Sequence, residues 1–513
     1  MVRPWKLLAS LSAITTGAAI VALTLDAPSI SAAALPSWNQ VVLAAPGLTP
    51  SFDPSIAHYV VRQSNPEQPC AVHITASTPA GLRVGIDGRP PVSGSSGRFV
   101  SLTPGQGAQV LIVRGGDTRL VSIRCLPADF PHFVASGKGS AQWYLGDMAI
   151  GPRDRSYAYV VDSYGTPVWW YNDPAGRPTS LRLWSRAELA SVNMSAPRAV
   201  SWMSGSHLRV STLNGRIKET GWSADRHDIQ PSGHGTTYAI RNVTRPCASN
   251  PRQCVDMRPY GGGAADKIID GQIVELAPDG TVLWTWNGRD HIPVSATGNW
   301  LSESVTGAQR DGGAWDVVHL NSVAMDGKDI IVSARNLNSV FKISRSTGDI
   351  LWRLGGTKSW ASAKTVNPPK LVVDAHGFDV SERLISGQHD ARLIPNGDLT
   401  LHDNGSLTMR KARVLRFQID EVAGTAEIVE SLTDPTLTQG SVCCGSTRRL
   451  ANGNWITAWG ADSLVSELRP DGHPIFSLTF PPASYPYRVV PVEDGVVPAD
   501  AWRSGMDAMH PRT

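Results

Sequence analysis

Two kinds of turn alternate along the C-terminal three-quarters of the chain, and few folds are open to a polypeptide that obeys such an alternation. One kind sits between an aromatic- or His-led strand and its partner, at Gly205, Gly235, Gly327, Gly397 and Gly453, with Pro152-Arg153 as an irregular first member. The other precedes an apolar or Trp-bearing strand, at Gly165, Gly215, Gly280, Gly348, Gly424 and Gly472. Glycine suits both, because tight hairpin turns need backbone at positive φ. Two hairpin turns per unit mean four strands per unit, so the pattern predicts six four-stranded blades, a β-propeller over residues 131–513. The 17 Trp residues fit that architecture, since large aromatics fill the wedges between blades. Residues 35–130 alternate apolar and polar, with turns at Asp87-Gly88, Pro104-Gly105 and Gly115-Gly116, and predict a small β-sandwich. The fold class is therefore all-β.

The first residues read differently. Arg3 and Lys6 precede an uncharged stretch from Leu7 to Leu25, and small residues follow at Ser31-Ala32-Ala33-Ala34. Residues 1–34 thus read as a signal peptide for a secreted or cell-envelope protein, or else as an uncleaved anchor and the sole membrane contact. The net charge is +3, or +2 without residues 1–34, which gives no argument for nucleic acid or an anionic surface. In an exported chain the six cysteines are disulfide candidates. Cys70 and Cys125 flank one β-rich segment and are expected to pair, and Cys247 and Cys254 would close a small loop. Cys443 and Cys444 are adjacent, so a bond between them would be strained, and two free thiols or a redox pair are both open.

Three histidines share one register. His227, His319 and His389 each lie eight residues before a first-kind turn glycine, at Gly235, Gly327 and Gly397. That offset places each at the start of an innermost strand, in successive blades, facing one mouth of the channel. Arg335 and Asn336 end the strand that follows His319, and Asn321 lies two residues beyond that histidine. Neutral imidazoles beside a guanidinium and a carboxamide suit an anionic group that must be transferred. Arginine offers a planar donor fork, and a histidine can act as nucleophile or base near neutrality. Asp228 and Asp390 could orient their neighbouring histidines or bind backbone amides between blades, while Asp403-Asn404-Gly405 reads as a turn. Two other readings stay open at this point. Three imidazoles on an axis can hold a divalent metal, and a propeller can be a non-catalytic binding module. A nucleotide donor is not indicated, because no phosphate-binding Gly-rich loop with lysine is present.

Several motifs occur in an order that resembles the bacterial arylsulfate sulfotransferase family. They are Trp315-Asp-Val-Val-His-Leu-Asn-Ser322, Ile330-Ile-Val-Ser-Ala-Arg-Asn336, Thr347-Gly-Asp-Ile-Leu-Trp-Arg-Leu-Gly355, and Gln388-His-Asp-Ala-Arg392 through His402-Asp-Asn-Gly405. The resemblance spans roughly residues 130–480 and implies an exported six-bladed propeller. It also implies sulfuryl transfer from an aryl sulfate donor to a phenolic acceptor through a covalent sulfohistidine, with no cofactor and no metal. By position, it makes His389 the nucleophile and His227 and His319 the histidines that bind the sulfuryl group or handle the phenolic proton. Arg335 and Asn321 become oxyanion binders, and Thr447 a contact from the sixth blade. Cys443-Cys444 and the insertion after Trp360 have no counterpart in that pattern.

Overall fold

A computed structural model describes residues 37–147, 157–244, 255–302, 313–362 and 366–512. Residues 1–34, expected to be a signal peptide or anchor, Pro152-Arg153 and the Cys247/Cys254 pair lie outside the described residues.

The N-terminal part is a sandwich of a three-stranded and a five-stranded sheet. Alternating residues of both inner faces, such as Val72, Ile74, Val84, Ile112 and Ile123, form its core. The Cys70–Cys125 disulfide ties one sheet to the other, as their flanking positions predict.

Beyond it, the described residues form six further sheets that follow one another, and the fold is a β-propeller. Each apolar cluster bridges neighbouring sheets: Trp184 and Ala199 with Ala239 and Val274, Ile273 with Val332, Val340 with Leu415, and Val414 with Trp455. A last cluster joins Ile456 and Phe476 to Trp169 and to Trp202, which closes the ring. Strands from the two ends of the propeller segment close it as well. The innermost strand of the first sheet, Val489–Val492, pairs with Trp143–Gly146, and the outermost strand of the sixth, Val134–Gly137, pairs with Pro474–Thr479.

The turn register holds for four sheets and fails in one. Gly235, Gly327, Gly397 and Gly453 join first and second strands of the third to sixth sheets. Gly205 instead joins the second strand of the second sheet (Arg198–Ser204) to the third (His207–Thr212). There the innermost strand, Pro178–Ser185, leads into a long connection holding a 3-10 turn at Glu188–Val192, so no tight turn marks its end.

A belt of polar latches crosses from sheet to sheet near the axis. Asp147 accepts the Leu181 N–H at 3.2 Å, and Ser180 Oγ donates to the His227 carbonyl at 2.9 Å. Asp228 accepts the Val323 N–H at 2.9 Å and Ser322 Oγ the Ala391 N–H at 3.0 Å. Asp390 accepts the Thr447 N–H at 3.1 Å and Ser446 Oγ the Val489 N–H at 3.0 Å. Asp and Ser thus alternate around the ring, each satisfying a backbone group that the sheet edge would leave unpaired in the interior. Asp228 and Asp390 therefore belong to the belt rather than to their neighbouring histidines. Arg392 and Arg488 bind Asp228 at 2.7 and 2.6 Å, and this outweighs burial to hold its carboxyl down at about 2.

Candidate active site

His227, His319 and His389 stand at or just before the innermost strands Ile229–Pro231, Leu320–Asp326 and His389–Leu393. The ladder is irregular there: register shifts fall between Leu320 and Ser322 and between His389 and Arg392, and His319 and Asp390 have φ of 53° and 59°. Such bulges re-aim side chains at a strand end. The rings come together: His227 and His319 meet edge-on with centroids 4.9 Å apart. Tyr487 lies 5.9 Å from His227 and 6.2 Å from His389, centroid to centroid.

The partners on Nδ1 divide the three. His227 Nδ1 bonds the Asp225 carboxylate, and His319 Nδ1 bonds that of Asp316. His389 Nδ1 lies 2.8 Å from Asn404 Oδ1 and 2.9 Å from the Gly387 carbonyl, both neutral. Its Nε2 accepts the Cys444 N–H at 3.2 Å. A ring nitrogen that accepts a backbone N–H carries a lone pair, so the proton of neutral His389 sits on Nδ1 and Nε2 is the free base. Burial, with the Arg335 charge second, holds His389 well below the ordinary histidine range. Burial also lowers His319, against the pull of Asp316. Burial would raise the Asp225 and Asp316 carboxyls, but the adjoining histidines hold both down.

Arg335 stacks on the Trp300 ring at 3.9 Å and donates to Asn336 Oδ1 at 2.8 Å and to the Val442 carbonyl at 2.9 Å. Its charge acts on both His319 and His389. Asn321 is fully buried and donates through Nδ2 to the Gln388 carbonyl at 2.7 Å, so it holds the peptide that precedes His389. Thr447 is also buried, with its hydroxyl 3.1 Å from that of Thr457 and its N–H on Asp390. It sits in the latch belt, and none of its hydrogen bonds reaches the histidines.

Sequence reasoning missed three groups. Asp225 and Asp316 were legible as acids two and three residues ahead of a histidine, a spacing His389 lacks. Asn404 was not legible, because Asp-Asn-Gly reads as a solvent-facing turn. It is in fact fully buried, covered by the 441–445 segment, with Nδ2 donating to the Cys444 carbonyl at 2.8 Å. Among the described residues, no group of three or more His, Cys, Asp or Glu side chains is arranged to hold a metal ion.

Fold and site together describe a β-propeller with a histidine cluster at the start of its inner strands. The family model Arylsulfotransferase (ASST) matches residues 148–472, and the chain belongs to the arylsulfotransferase family. Membership supports a sulfotransferase that works on aryl sulfates. No curated protein matches the chain. Among solved structures, a protein of unknown function from Bacteroides caccae is 12% identical with a TM-score of 0.38, covering 69% of this chain and 100% of its own. The β-propeller domain of Cps50 (Swd1) from Myceliophteria thermophila is 10% identical with a TM-score of 0.34, covering 68% and 89%. An auxiliary nutrient binding protein from Bacteroides ovatus is 10% identical with a TM-score of 0.32, covering 82% and 83%. Likenesses this distant add nothing on function.

Proposed function

We propose that the protein moves a sulfuryl group from an aryl sulfate to a phenol, without a nucleotide donor, through a covalent adduct on His389 Nε2. The observation that carries this reading is the division of Nδ1 partners. Nε2 of His389 attacks the donor sulfur, the N–S bond forms, the S–O ester bond breaks, and a phenolate leaves. With only Asn404 Oδ1 and the Gly387 carbonyl on Nδ1, the sulfurylated ring keeps its Nδ1 proton and stays a good leaving group. A carboxylate there would stabilise the cationic ring and make the adduct too stable to turn over. In the second half, the acceptor phenol attacks the same sulfur, the N–S bond breaks, and neutral His389 returns.

The proton belongs to His319 and His227. His319 is neutral at rest and takes the acceptor's proton as its oxygen attacks, and Asp316 stabilises the imidazolium that forms. That proton then passes to the phenolate released in the first half, which returns His319 to its neutral state and closes the proton balance over one ping-pong cycle. Arg335, braced by Trp300 and the Val442 carbonyl, faces the sulfuryl oxygens as charge gathers on them. Asn321 then acts by holding the Gln388 peptide. The Cys444 N–H caps Nε2 at rest and meets a sulfuryl oxygen once the nitrogen is occupied.

The test is to incubate purified protein with an aryl sulfate and a phenol and no nucleotide. Release of the donor phenol that depends on both the acceptor and His389 is expected. Equal release by His389→Asn sinks the assignment.

A further inference from the structure

Cys443 and Cys444 form no disulfide and are half-buried, with sulfurs 2.6 Å apart and the Tyr485 hydroxyl 3.3 Å from Cys443 Sγ. Their backbone is held by the site on three sides: Arg335 binds the Val442 carbonyl, Asn404 the Cys444 carbonyl, and His389 Nε2 the Cys444 N–H. Cys444 adopts φ of 67°, a left-handed conformation that a β-carbon makes costly and that these contacts sustain. Whatever reshapes this dipeptide therefore reshapes the surroundings of His389.

We propose that Cys443-Cys444 is a reversible thiol-oxidation site for small-molecule disulfides, and that closing it into a vicinal disulfide removes the Cys444 cap from His389. The second half rests on the reading of His389 as nucleophile. Cys443 thiolate attacks one sulfur of the disulfide and expels a thiolate, leaving a mixed disulfide. The Cys444 thiol then loses its proton and attacks Cys443 Sγ, expelling the second thiol. Two protein thiols give up two electrons and two protons, and the disulfide is reduced to two thiols. The order follows from the surroundings. Hydrogen bonds from the Cys444 thiol and the Tyr485 hydroxyl, with Arg335 and His227 nearby, push the Cys443 thiol down, while its bond to Cys443 and burial push Cys444 up. Adjacent Cα atoms lie about 3.8 Å apart, less than the roughly 4.4 Å at which unstrained disulfides begin, so this bond is easily reduced again. Cys70–Cys125, with Cα atoms 5.8 Å apart, has no such constraint and serves as a structural tie.

The test uses the full chain equilibrated in glutathione disulfide or in reduced glutathione. Peptide mass spectrometry should show loss of two hydrogens at Cys443-Cys444 in the oxidised sample, reversed by reductant. Cys444→Ser should stop at a glutathione adduct on Cys443. Carbethoxylation of His389 by diethyl pyrocarbonate should then run roughly fivefold faster in the oxidised protein, the size of one lost hydrogen bond on Nε2. Sulfuryl transfer should fall by about tenfold or more, as the Cys444 N–H no longer meets the sulfuryl oxygen. Failure to form the disulfide, or a disulfide that leaves His389 reactivity unchanged, overturns the proposal. His389 reactivity that responds to oxidation in a protein with no transfer in either state keeps the thiol site and removes the sulfohistidine reading instead.

Discussion

His227 and His319 on one side, and His389 on the other, occupy equivalent strand starts in consecutive sheets yet lean on different chemistry. The first two put Nδ1 against carboxylates, Asp225 and Asp316, while the third puts it against a carboxamide and a peptide carbonyl. A carboxylate prepares an imidazole to take and hold a proton. A neutral acceptor fixes the tautomer without adding basicity, which suits a nitrogen that must bond sulfur and then let it go. Three residues in one register thus divide by their Nδ1 partners, and the proposed roles of proton carrier and nucleophile rest on residues that the register itself does not contain.

Substitutions that erase or exchange this difference give graded effects. Replacing His389 by Asn should lower sulfuryl transfer by roughly 10⁴-fold or more in steady-state assays, with the melting transition retained. Arg335→Ala should cost about 10²- to 10³-fold in kcat, the scale of a lost transition-state donor, and Arg335→Lys should recover only part of it because the braced fork is lost. Asp316→Asn should reduce turnover roughly 10- to 100-fold and also shift its pH dependence. Burial already holds His319 and His389 below the ordinary histidine value of about 6.5, so the acid limb of kcat/KM should lie below that pH. Asp316 opposes the lowering of His319, so its removal should move that histidine's contribution to the limb lower still. A limb that rises instead contradicts the pairing. Asn404→Asp gives His389 the partner that the other two have. It should slow the second half-reaction by roughly tenfold, as for a leaving nitrogen one pKa unit more basic, while the first burst of phenol survives.

The histidine register was readable because a hairpin glycine at a constant offset marks the inner strand in the third, fourth and fifth sheets. It broke at Gly205, where a long connection replaces the tight turn. Nor could local pattern reveal the inner strand of the first sheet, since Val489–Val492 comes from the far end of the chain. Arg335 was placed correctly near His319 because both belong to one hairpin. Asn321 and Thr447 lie in inner strands, but their side chains bond the Gln388 carbonyl and the Thr457 hydroxyl. Asn404 was hidden because its turn-like triplet is buried by a segment some 40 residues later, and that contact is tertiary. The latch belt was half visible: Asp228 and Asp390 were candidates for binding amides, but the alternating serines carry no signal of their own.

One measurement addresses the division of labour most directly. The protein is mixed with an aryl sulfate in the absence of acceptor, quenched within the first turnover, digested under alkaline conditions and sequenced by mass spectrometry. One sulfuryl group per chain is expected on the peptide containing His389, absent in His389→Asn and discharged when phenol is added. A sulfuryl group found on His227, His319 or Cys443, or none on any residue while phenol is released, contradicts that division.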